Sequence, residues 1–215
     1  MDSKFWHEKW ETNDIAFHAN EVNPALLKHF KNLSLSKGNR VFLPLCGKTL
    51  DITWLLRNGY RVAGAELSRM AVEQLFTGLG LEPDISVVGG MTLYRAENID
   101  IFVGDIFQLS GTMLGPVDAV YDRAALVALP EEMRGRYTKH LKTITDKTPQ
   151  LLLSFEYDQT LMDGPPFSVS NDEIHEHYNG SYHLTFMEST NIPGGLKGKC
   201  PARENVWLLK KCLKR

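Results

Sequence analysis

The chain has 215 residues, enough for one domain with an elaboration and for a core that needs no disulfide or metal. Hydrophobic residues make up 43% and charged residues 23% of it, which excludes global disorder, a collagenous repeat and a coiled coil. The 24 basic and 26 acidic residues give a formal net charge of -2, which argues against a dedicated nucleic-acid binder and leaves only a local basic patch open.

Helix and strand patterns alternate in the first half of the chain. Asn23 before a proline predicts a capped helix, and the apolar run 40–45 predicts a strand. A helical stripe then ends at an Asn-Gly pair, and residues 61–66 have the pattern of a second strand. After a further helical stripe, the stretch 81–98 contains glycines and short apolar pairs, which are typical of an insertion.

The alternation continues in the second half. Further strands are predicted by apolar runs at 101–103, 119–121, 151–155, 184–187 and 206–209. A helical stripe runs from Met133 to Ile144, and Ser170 with Glu173 forms a capping box for a short helix. Five alternations predict a doubly wound, mostly parallel α/β sheet. The last two runs have no helix between them, which indicates an antiparallel hairpin at one edge.

The cysteines and histidines offer no metal site. Cys46, Cys200 and Cys212 are too few for a disulfide framework and share no ligand spacing. His175 and His177 face different sides of their helix without a third ligand, so we expect a surface pair and no metal. Cys46 is either a nucleophile or, in its apolar loop, a small buried residue. Without a signal segment or a long apolar run, we expect a cytoplasmic protein.

Ligands of such sheets bind beyond the carboxyl ends of the strands. The segment Gly47-Lys48-Thr49 does not make a phosphate loop, because Phe42 stands where that loop needs a glycine. The three glycines of a dinucleotide site are also missing, which disfavours NAD and FAD. A nucleoside ligand without a pyrophosphate does not need them.

Glu66 ends the second strand about twenty residues after this loop, where an acidic residue accepts hydrogen bonds from both ribose hydroxyls. The alternative is a solvated carboxylate at a strand end.

Trp6 and Trp10 lie one helical turn apart, and Phe17 follows. These aromatic residues anchor an N-terminal helix to the core, the interpretation we favour for Trp6, or they close over an apolar heterocycle.

Four segments, taken together, resemble one known family. They are WHEKW at 6–10 with AFH at 16–18, VFLPLCGK at 41–48, YDRAALVAL at 121–129 and GPPF at 164–167. In this order they are similar to the thiopurine S-methyltransferase family, most closely to its bacterial branch. The resemblance begins near residue 5 and extends to the C-terminus.

The resemblance implies a class I methyltransferase with S-adenosylmethionine as its cofactor. It implies a Rossmann-like, seven-stranded sheet with an antiparallel edge strand, in a single domain 1–215 whose residues 1–36 form an N-terminal lid or helical extension. The implied acceptors are the sulfur atoms of thiopurines and of other aromatic or heterocyclic thiols. The family's cofactor-binding positions correspond to Trp10, Leu45, Glu66, Asp105, Ile106 and Arg123. Its acceptor-lining positions correspond to Phe17, Pro165 and Pro166.

Two departures from the family pattern affect the site. Asp105 replaces a small polar residue of the animal members, which places an extra carboxylate near the cofactor's adenine amine. The region 191–203 matches poorly, and the acceptor-side arginine of animal members has three candidate counterparts here, Lys197, Lys199 and Arg203. Bacterial relatives are also associated with the methylation of selenium and tellurium compounds.

Arg123 is the residue we expect to be catalytic. The cofactor's sulfonium methyl group is already activated, so the protein mainly has to align the acceptor sulfur. A guanidinium stays charged and can stabilise an anionic sulfur. Its alternative role is an ion pair with Asp122 or a neighbouring carboxylate. We expect the only partner to be a small-molecule thiol acceptor, without binding to nucleic acid or to membranes. We expect the protein to be a monomer.

Other functions stay open at this point. A methyltransferase for oxygen or nitrogen needs a residue that removes a proton, and none stands out. A non-catalytic protein that binds a nucleoside cofactor is the alternative outside enzymes.

Overall fold

The computed structural model describes residues 3–15 and 18–212 of the chain. The helices are α1 Ser3–Glu11, α2 Pro24–His29, α3 Leu50–Arg57, α4 Arg69–Leu79, α5 Gly111–Leu114, α6 Glu131–Ile144 and α7 Asn171–Tyr178. The strands are β1 Arg40–Pro44, β2 Arg61–Glu66, β3 Asp84–Val88, β4 Met91–Ala96, β5 Ile99–Val103, β6 Ala119–Asp122, β7 Gln150–Tyr157, β8 Tyr182–Asn191 and β9 Ala202–Lys211. None of the helices in the described ranges is long and apolar enough to cross a membrane.

All the described strands belong to one sheet, in the order β3-β4-β5-β2-β1-β6-β7-β9-β8. The central strands β5, β2, β1, β6 and β7 are parallel, as the alternating pattern predicted. The predicted closing hairpin is present too: β9 pairs antiparallel with both β7 and β8, and therefore lies between them although it follows β8 in the chain. The order reverses at β1, between β2 and β6, which makes its carboxyl end the switch point.

The predicted number of seven strands is too low for this sheet, which has nine strands in its described part. The two additional strands, β3 and β4, come from the stretch 81–98 that looked inserted, and they extend the sheet beyond β5. Gly89 and Gly90, with φ of 57° and 86°, form the tight turn between them. Such a turn needs two left-handed residues, a conformation that glycine adopts without strain.

Helices cover both faces of the sheet, and the central strands contribute to two apolar layers. In β1, Val41 and Leu43 pack with α2, α3 and α4, while Phe42 packs on the opposite side with α6 and α7. Because both faces are buried, the central strands have continuous apolar sequences instead of alternating ones.

The helix caps follow the sequence signals. The Asn23 side chain accepts a hydrogen bond from Ala25 N at 2.8 Å, and the Ser170 hydroxyl accepts one from Glu173 N at 3.2 Å. Each bond satisfies an amide that the helix itself leaves unpaired. Both helices therefore begin where the sequence predicted them.

Candidate active site

The ends of β1, β2 and β5 are held together by main-chain hydrogen bonds at the switch point. Cys46 N donates to Ala65 O at 3.0 Å, and Gly104 N donates to Glu66 O at 2.9 Å. Because these bonds continue the parallel pairing beyond the last strand residues, the loops that leave the three strands begin side by side. In folds of this kind such loops form the floor of the ligand crevice.

Glu66 lies in this floor and ties two loops together. Its Oε2 accepts a hydrogen bond from Gly47 N at 2.7 Å, and its Oε1 accepts one from Ser68 N at 2.8 Å. Burial raises the pKa of Glu66, and the amides of Ser68 and Gly47 act in the opposite direction. With 7% of its surface exposed, the residue is not the solvated carboxylate of the alternative interpretation. A carboxylate has about four acceptor positions, so two loop amides do not exhaust it.

Trp10 covers the loop after β1. Leu45 and Gly47 both have positive φ, 47° and 53°, which turns this loop tightly. A Cβ atom on Gly47 would lie 3.2 Å from Trp10 Cζ2, so only glycine lets the indole approach this closely. Trp10 is buried and anchors α1 to the loop, while Trp6, for which we favoured this role, is half-buried. The aromatic segment is thus docked at the crevice, but Phe17 lies outside the described residues.

Asp105 and Ile106, which follow β5, point in different directions. Asp105 is exposed, and its Oδ1 accepts a hydrogen bond from Phe107 N at 2.9 Å, which caps a short 3-10 turn. The Ile106 side chain is buried in the core, and its carbonyl is 2.8 Å from His140 Nε2. Asp105 is therefore available to a ligand through its carboxylate, whereas the Ile106 side chain and carbonyl are both held by contacts inside the protein, the carbonyl by His140 of α6.

Arg123 stands at the end of β6 without the partner that the alternative interpretation gave it. The neighbouring Asp122 is buried, where it accepts hydrogen bonds from Tyr137 Oη at 2.7 Å and Leu126 N at 3.1 Å. Ala124, with φ of 62°, turns the chain directly after Arg123. Within residues 3–15 and 18–212, no carboxylate oxygen lies within 4.0 Å of the half-buried Arg123 guanidinium.

The charge of Arg123 acts on two titratable side chains, His18 and Glu204, and the charge of Lys48 acts on His18 as well. Burial, Lys48 and Arg123 lower the pKa of His18. Burial raises the pKa of Glu204, and the charge of Arg123 lowers it. These electrostatic couplings indicate that three side chains lie near the same end of the sheet as Arg123: Lys48 of the loop after β1, His18 of the N-terminal segment and Glu204 of β9. His18 lies in the AFH segment at 16–18, but nothing there indicated a role for its side chain; no local motif marks Glu204, which only the strand register could have found.

The loop of Pro165 and Pro166 is held by hydrogen bonds from three directions. Phe167 N donates to Val127 O at 2.7 Å, which attaches the loop to the segment after Arg123. Tyr157 Oη donates to Pro166 O at 2.7 Å, and Lys197 Nζ donates to Pro165 O at 2.7 Å. The loop therefore lies between the end of β6 and the β8–β9 connection.

The three candidates for an acceptor-side cation differ in position. Lys197 contacts the proline loop, and with Lys199 it lines a cavity of about 380 Å³ beside that loop. Burial lowers the pKa of Lys197, as do the charges of Lys9 and Lys199. Arg203 is exposed, and its Nε donates to Asn191 Oδ1 at 3.3 Å. Lys197 is thus the candidate that touches the predicted acceptor loop.

The histidines of α7 have ordinary packing contacts. His175 lies edge-on to Trp207, with ring centroids 5.5 Å apart, and His177 Nε2 is 3.0 Å from Glu173 Oε1. The part of the chain that the structure describes contains no group of three or more His, Cys, Asp or Glu residues arranged to hold a metal ion.

Comparison with known proteins decides the family. The family model for thiopurine S-methyltransferase matches residues 1–211. Proteins named thiopurine S-methyltransferase from Xanthobacter autotrophicus and Teredinibacter turnerae are 54% and 51% identical to this chain. These matches cover 98% and 97% of the chain, and 100% and 97% of the relatives. The chain belongs to the thiopurine S-methyltransferase family.

Solved structures agree on the fold at much lower identity. A methyltransferase dependent on S-adenosylmethionine from Anabaena variabilis has a TM-score of 0.66 at 14% identity, covering 97% of this chain and 95% of the other. An N1-methyltransferase of 1,6-didemethyltoxoflavin from Burkholderia thailandensis has a TM-score of 0.65 at 15% identity, covering 97% of this chain and 87% of the other. The predicted Rossmann-like class I fold is thereby confirmed.

Membership in the family confirms the resemblance seen in the four sequence segments. The protein is a methyltransferase that uses S-adenosylmethionine as its cofactor. The residues present suit such a ligand: Glu66 offers carboxylate oxygens at the end of β2, and the loop at Gly47 lacks the extra glycines that a pyrophosphate requires.

Proposed function

We propose that this enzyme methylates the sulfur of small aromatic or heterocyclic thiols, thiopurines among them. The observation that carries the proposal is Arg123, a half-buried cation at the end of β6, with no carboxylate within 4.0 Å among the residues that the structure describes. A cation in this position suits an anionic acceptor. The names of the relatives from Xanthobacter and Teredinibacter support the same acceptor class.

In this proposal the cofactor lies along the ends of β1, β2 and β5. Glu66 accepts hydrogen bonds from the ribose hydroxyls, while Leu45 and Trp10 contact the cofactor from the loop and from α1. Asp105 and the backbone at Ile106 border the adenine. When bound, S-adenosylmethionine supplies an activated methyl group, so the protein's main task is positioning.

Arg123 positions the acceptor sulfur. A planar guanidinium offers several hydrogen-bond donors in a fixed geometry. We propose that these donors keep the sulfur in line with the methyl group, within the ~3–3.5 Å of a near-attack arrangement. Phe17, Pro165 and Pro166 border the acceptor ring. Because the two proline carbonyls are bonded to Lys197 and Tyr157, this side of the pocket is held in place.

The compartment and assembly state complete the proposal. Cys46 and Cys200 are buried thiols without a disulfide, which suits a reducing compartment. We therefore propose a cytoplasmic enzyme that acts on small molecules as a monomer.

The test is to incubate the enzyme with methyl-labelled S-adenosylmethionine and separate acceptors, then to identify the product. The acceptors are 6-mercaptopurine, a thiophenol, a phenol, an aromatic amine, selenite and tellurite. We expect label on sulfur. We also expect Arg123→Ala to lower turnover with 6-mercaptopurine by roughly 10²-fold or more, as for lost electrostatic groups in other enzymes. Arg123→Lys keeps the charge but loses the planar fork, so its turnover should be intermediate.

Arg57→Ala is the matched control, because Arg57 is exposed at the end of α3. Thermal unfolding of each variant separates a catalytic loss from a folding defect. Label only on oxygen, nitrogen, selenium or tellurium, or no turnover at all, would contradict the proposed acceptor class. An Arg123→Ala enzyme with wild-type turnover would remove Arg123 from the mechanism.

A further inference from the structure

Glu204 on β9 faces the same side of the sheet as Arg123. Tyr121 of β6, Leu151 of β7 and Leu208 of β9 are neighbours in register. All three pack in one buried cluster with α2 and α3. Side chains alternate along a strand. Arg123, two residues after Tyr121, and Glu204, four residues before Leu208, therefore extend this face toward the carboxyl ends of the parallel strands.

A neighbouring carboxylate on this face, Asp51, already has its partners. Asp51 of α3 accepts hydrogen bonds from Asn23 N at 2.8 Å and from Tyr121 Oη at 3.1 Å. Glu204 is only partly buried, and within the described ranges no contact under 4.0 Å joins it to Arg123. Arg123 and Glu204, which lie on either side of β7, thus place a cation and a carboxylate on the same face and at the same end of the sheet without a direct ion pair.

We propose that Glu204 is the general base that removes a ring-nitrogen proton from heterocyclic acceptors while Arg123 binds their sulfur. The inference rests on the proposed function and defines its substrate class more closely. Heterocyclic thiols exist in water largely as thiones, with the proton on the ring nitrogen next to the C=S carbon. Such a ring presents an N–H donor and a sulfur acceptor on adjacent atoms, which suits Glu204 and Arg123 respectively.

The step balances as follows. The Glu204 carboxylate takes the proton from the ring nitrogen, and the N–H electron pair forms the C=N double bond of the ring. The C=S π electrons move onto sulfur, whose lone pair forms the new S–CH3 bond. The bond between the methyl group and the cofactor's sulfonium breaks, and its electron pair stays on S-adenosylhomocysteine. The products are the neutral methyl thioether and protonated Glu204, which then releases its proton to water.

The surroundings of Glu204 suit a base. Burial raises its pKa, Arg123 and the Asn23 side chain lower it, and Asp51 and Glu188 raise it. Tyr121, which also faces this group, has its pKa raised well above the ordinary value by burial, so it stays neutral. A carboxylate with a raised pKa accepts a proton more readily than an exposed one, and positioned general bases typically contribute about 10²–10⁴-fold to rate.

The test compares two acceptors with wild-type enzyme and with Glu204→Gln. One acceptor is 6-mercaptopurine, a thione with a ring N–H, and the other is 4-nitrothiophenol, which has no ring nitrogen and is already a thiolate at neutral pH. We expect the variant to lose about 10²-fold or more in kcat with 6-mercaptopurine and to keep wild-type kcat with 4-nitrothiophenol. Glu97→Gln is the control, because Glu97 is exposed in the turn between β4 and β5, near the opposite edge of the sheet from β9.

A wild-type pH profile tests the inference even if the variant does not fold. We expect kcat to fall toward acid pH with 6-mercaptopurine and to stay level with 4-nitrothiophenol over the range in which that thiol is ionised. Equal losses with both acceptors, no loss with either, or identical pH profiles would overturn the role of Glu204. If wild-type enzyme methylates the sulfur of neither acceptor, the proposed function itself fails, which is a separate result.

Discussion

Glu66 shows how one side chain can serve both the fold and a ligand. Its two oxygens accept hydrogen bonds from the amides of Gly47 and Ser68, which close the loops after β1 and β2. In our proposal the remaining acceptor positions bind the ribose. A substitution that removes one oxygen should therefore affect cofactor affinity and stability together.

We expect Glu66→Gln to bind S-adenosylhomocysteine about tenfold to a hundredfold more weakly. The amide loses a hydrogen bond to a charged acceptor, typically about 1.5–3 kcal/mol. Its NH2 group also faces a loop amide that needs an acceptor, so the melting temperature should fall. Calorimetric titration measures the affinity, and thermal unfolding measures the stability.

The control for Glu66 is Glu73→Gln on α4, an exposed carboxylate 3.7 Å from Arg69. It removes one negative charge from the same part of the molecule without touching the loop, so its affinity should equal that of the wild type. Undiminished affinity in a folded Glu66→Gln protein would refute the assignment of Glu66 to the cofactor.

At the scale of elements, α1 connects cofactor binding with the N-terminal segment. Trp10 rests on Gly47, directly above the loop that Glu66 holds. We expect S-adenosylhomocysteine to slow tryptic cleavage after Lys9, because a ligand that fixes the loop also fixes the surface on which Trp10 packs. Trp10→Ala should be cut faster and should show less protection by the ligand. Mass spectrometry of timed digests gives the cleavage rates.

The internal control for this digest is cleavage after Lys37, an exposed residue between α2 and β1. Its rate should not respond to the ligand. Equal rates after Lys9 with and without ligand would mean that α1 is a fixed part of the core and takes no part in cofactor binding.

The sequence was sufficient where structure depends on local signals. Asn23 and Ser170 begin helices because each caps an amide within three residues, and the buried run 151–155 forms a central strand because both its faces are covered. The rule that ligands bind at strand ends drew attention to Glu66 and Arg123, and the structure places Glu66 at the end of β2 and Arg123 directly after β6. Their roles in ligand binding stay predictions.

The sequence was insufficient where structure depends on pairing between distant segments. The hairpin of β3 and β4 was missed, although Gly89-Gly90 between two short apolar runs is a recognised turn signal. Glu204 was missed because its relation to Arg123 exists only through the register of β7 with β9. The alternative role considered for Arg123, an ion pair with Asp122, is not found, since Asp122 faces Tyr137 on the opposite side of the sheet.

For the whole molecule, Asp122 makes stability depend on pH in an unusual direction. Burial raises its pKa from 3.8 to about 6, despite the hydrogen bonds from Tyr137 and Leu126. The folded state thus holds this proton more tightly than the unfolded state. The contribution of Asp122 is complete below about pH 4 and is lost as the pH rises through about 6.

We expect Asp122→Asn to remove this dependence. At about 1.4 kcal/mol per pKa unit, the wild type should lose ~3 kcal/mol of unfolding free energy relative to the variant between about pH 4 and pH 7. Urea unfolding followed by tryptophan fluorescence at several pH values measures the difference. Asp84→Asn, at an exposed position of β3, is the control. A constant difference between wild type and Asp122→Asn across this range would show that Asp122 does not titrate there.

The position of β9 between β7 and β8 constrains how the protein can fold during synthesis. Segments leave the ribosome in chain order, so β8 emerges before β9, which is its only strand neighbour in the described sheet. Until β9 arrives, β7 is an open edge with unpaired backbone groups, a surface that promotes association with other chains. A nascent chain that stalls before residue 202 therefore leaves the β7 edge open to association with other chains.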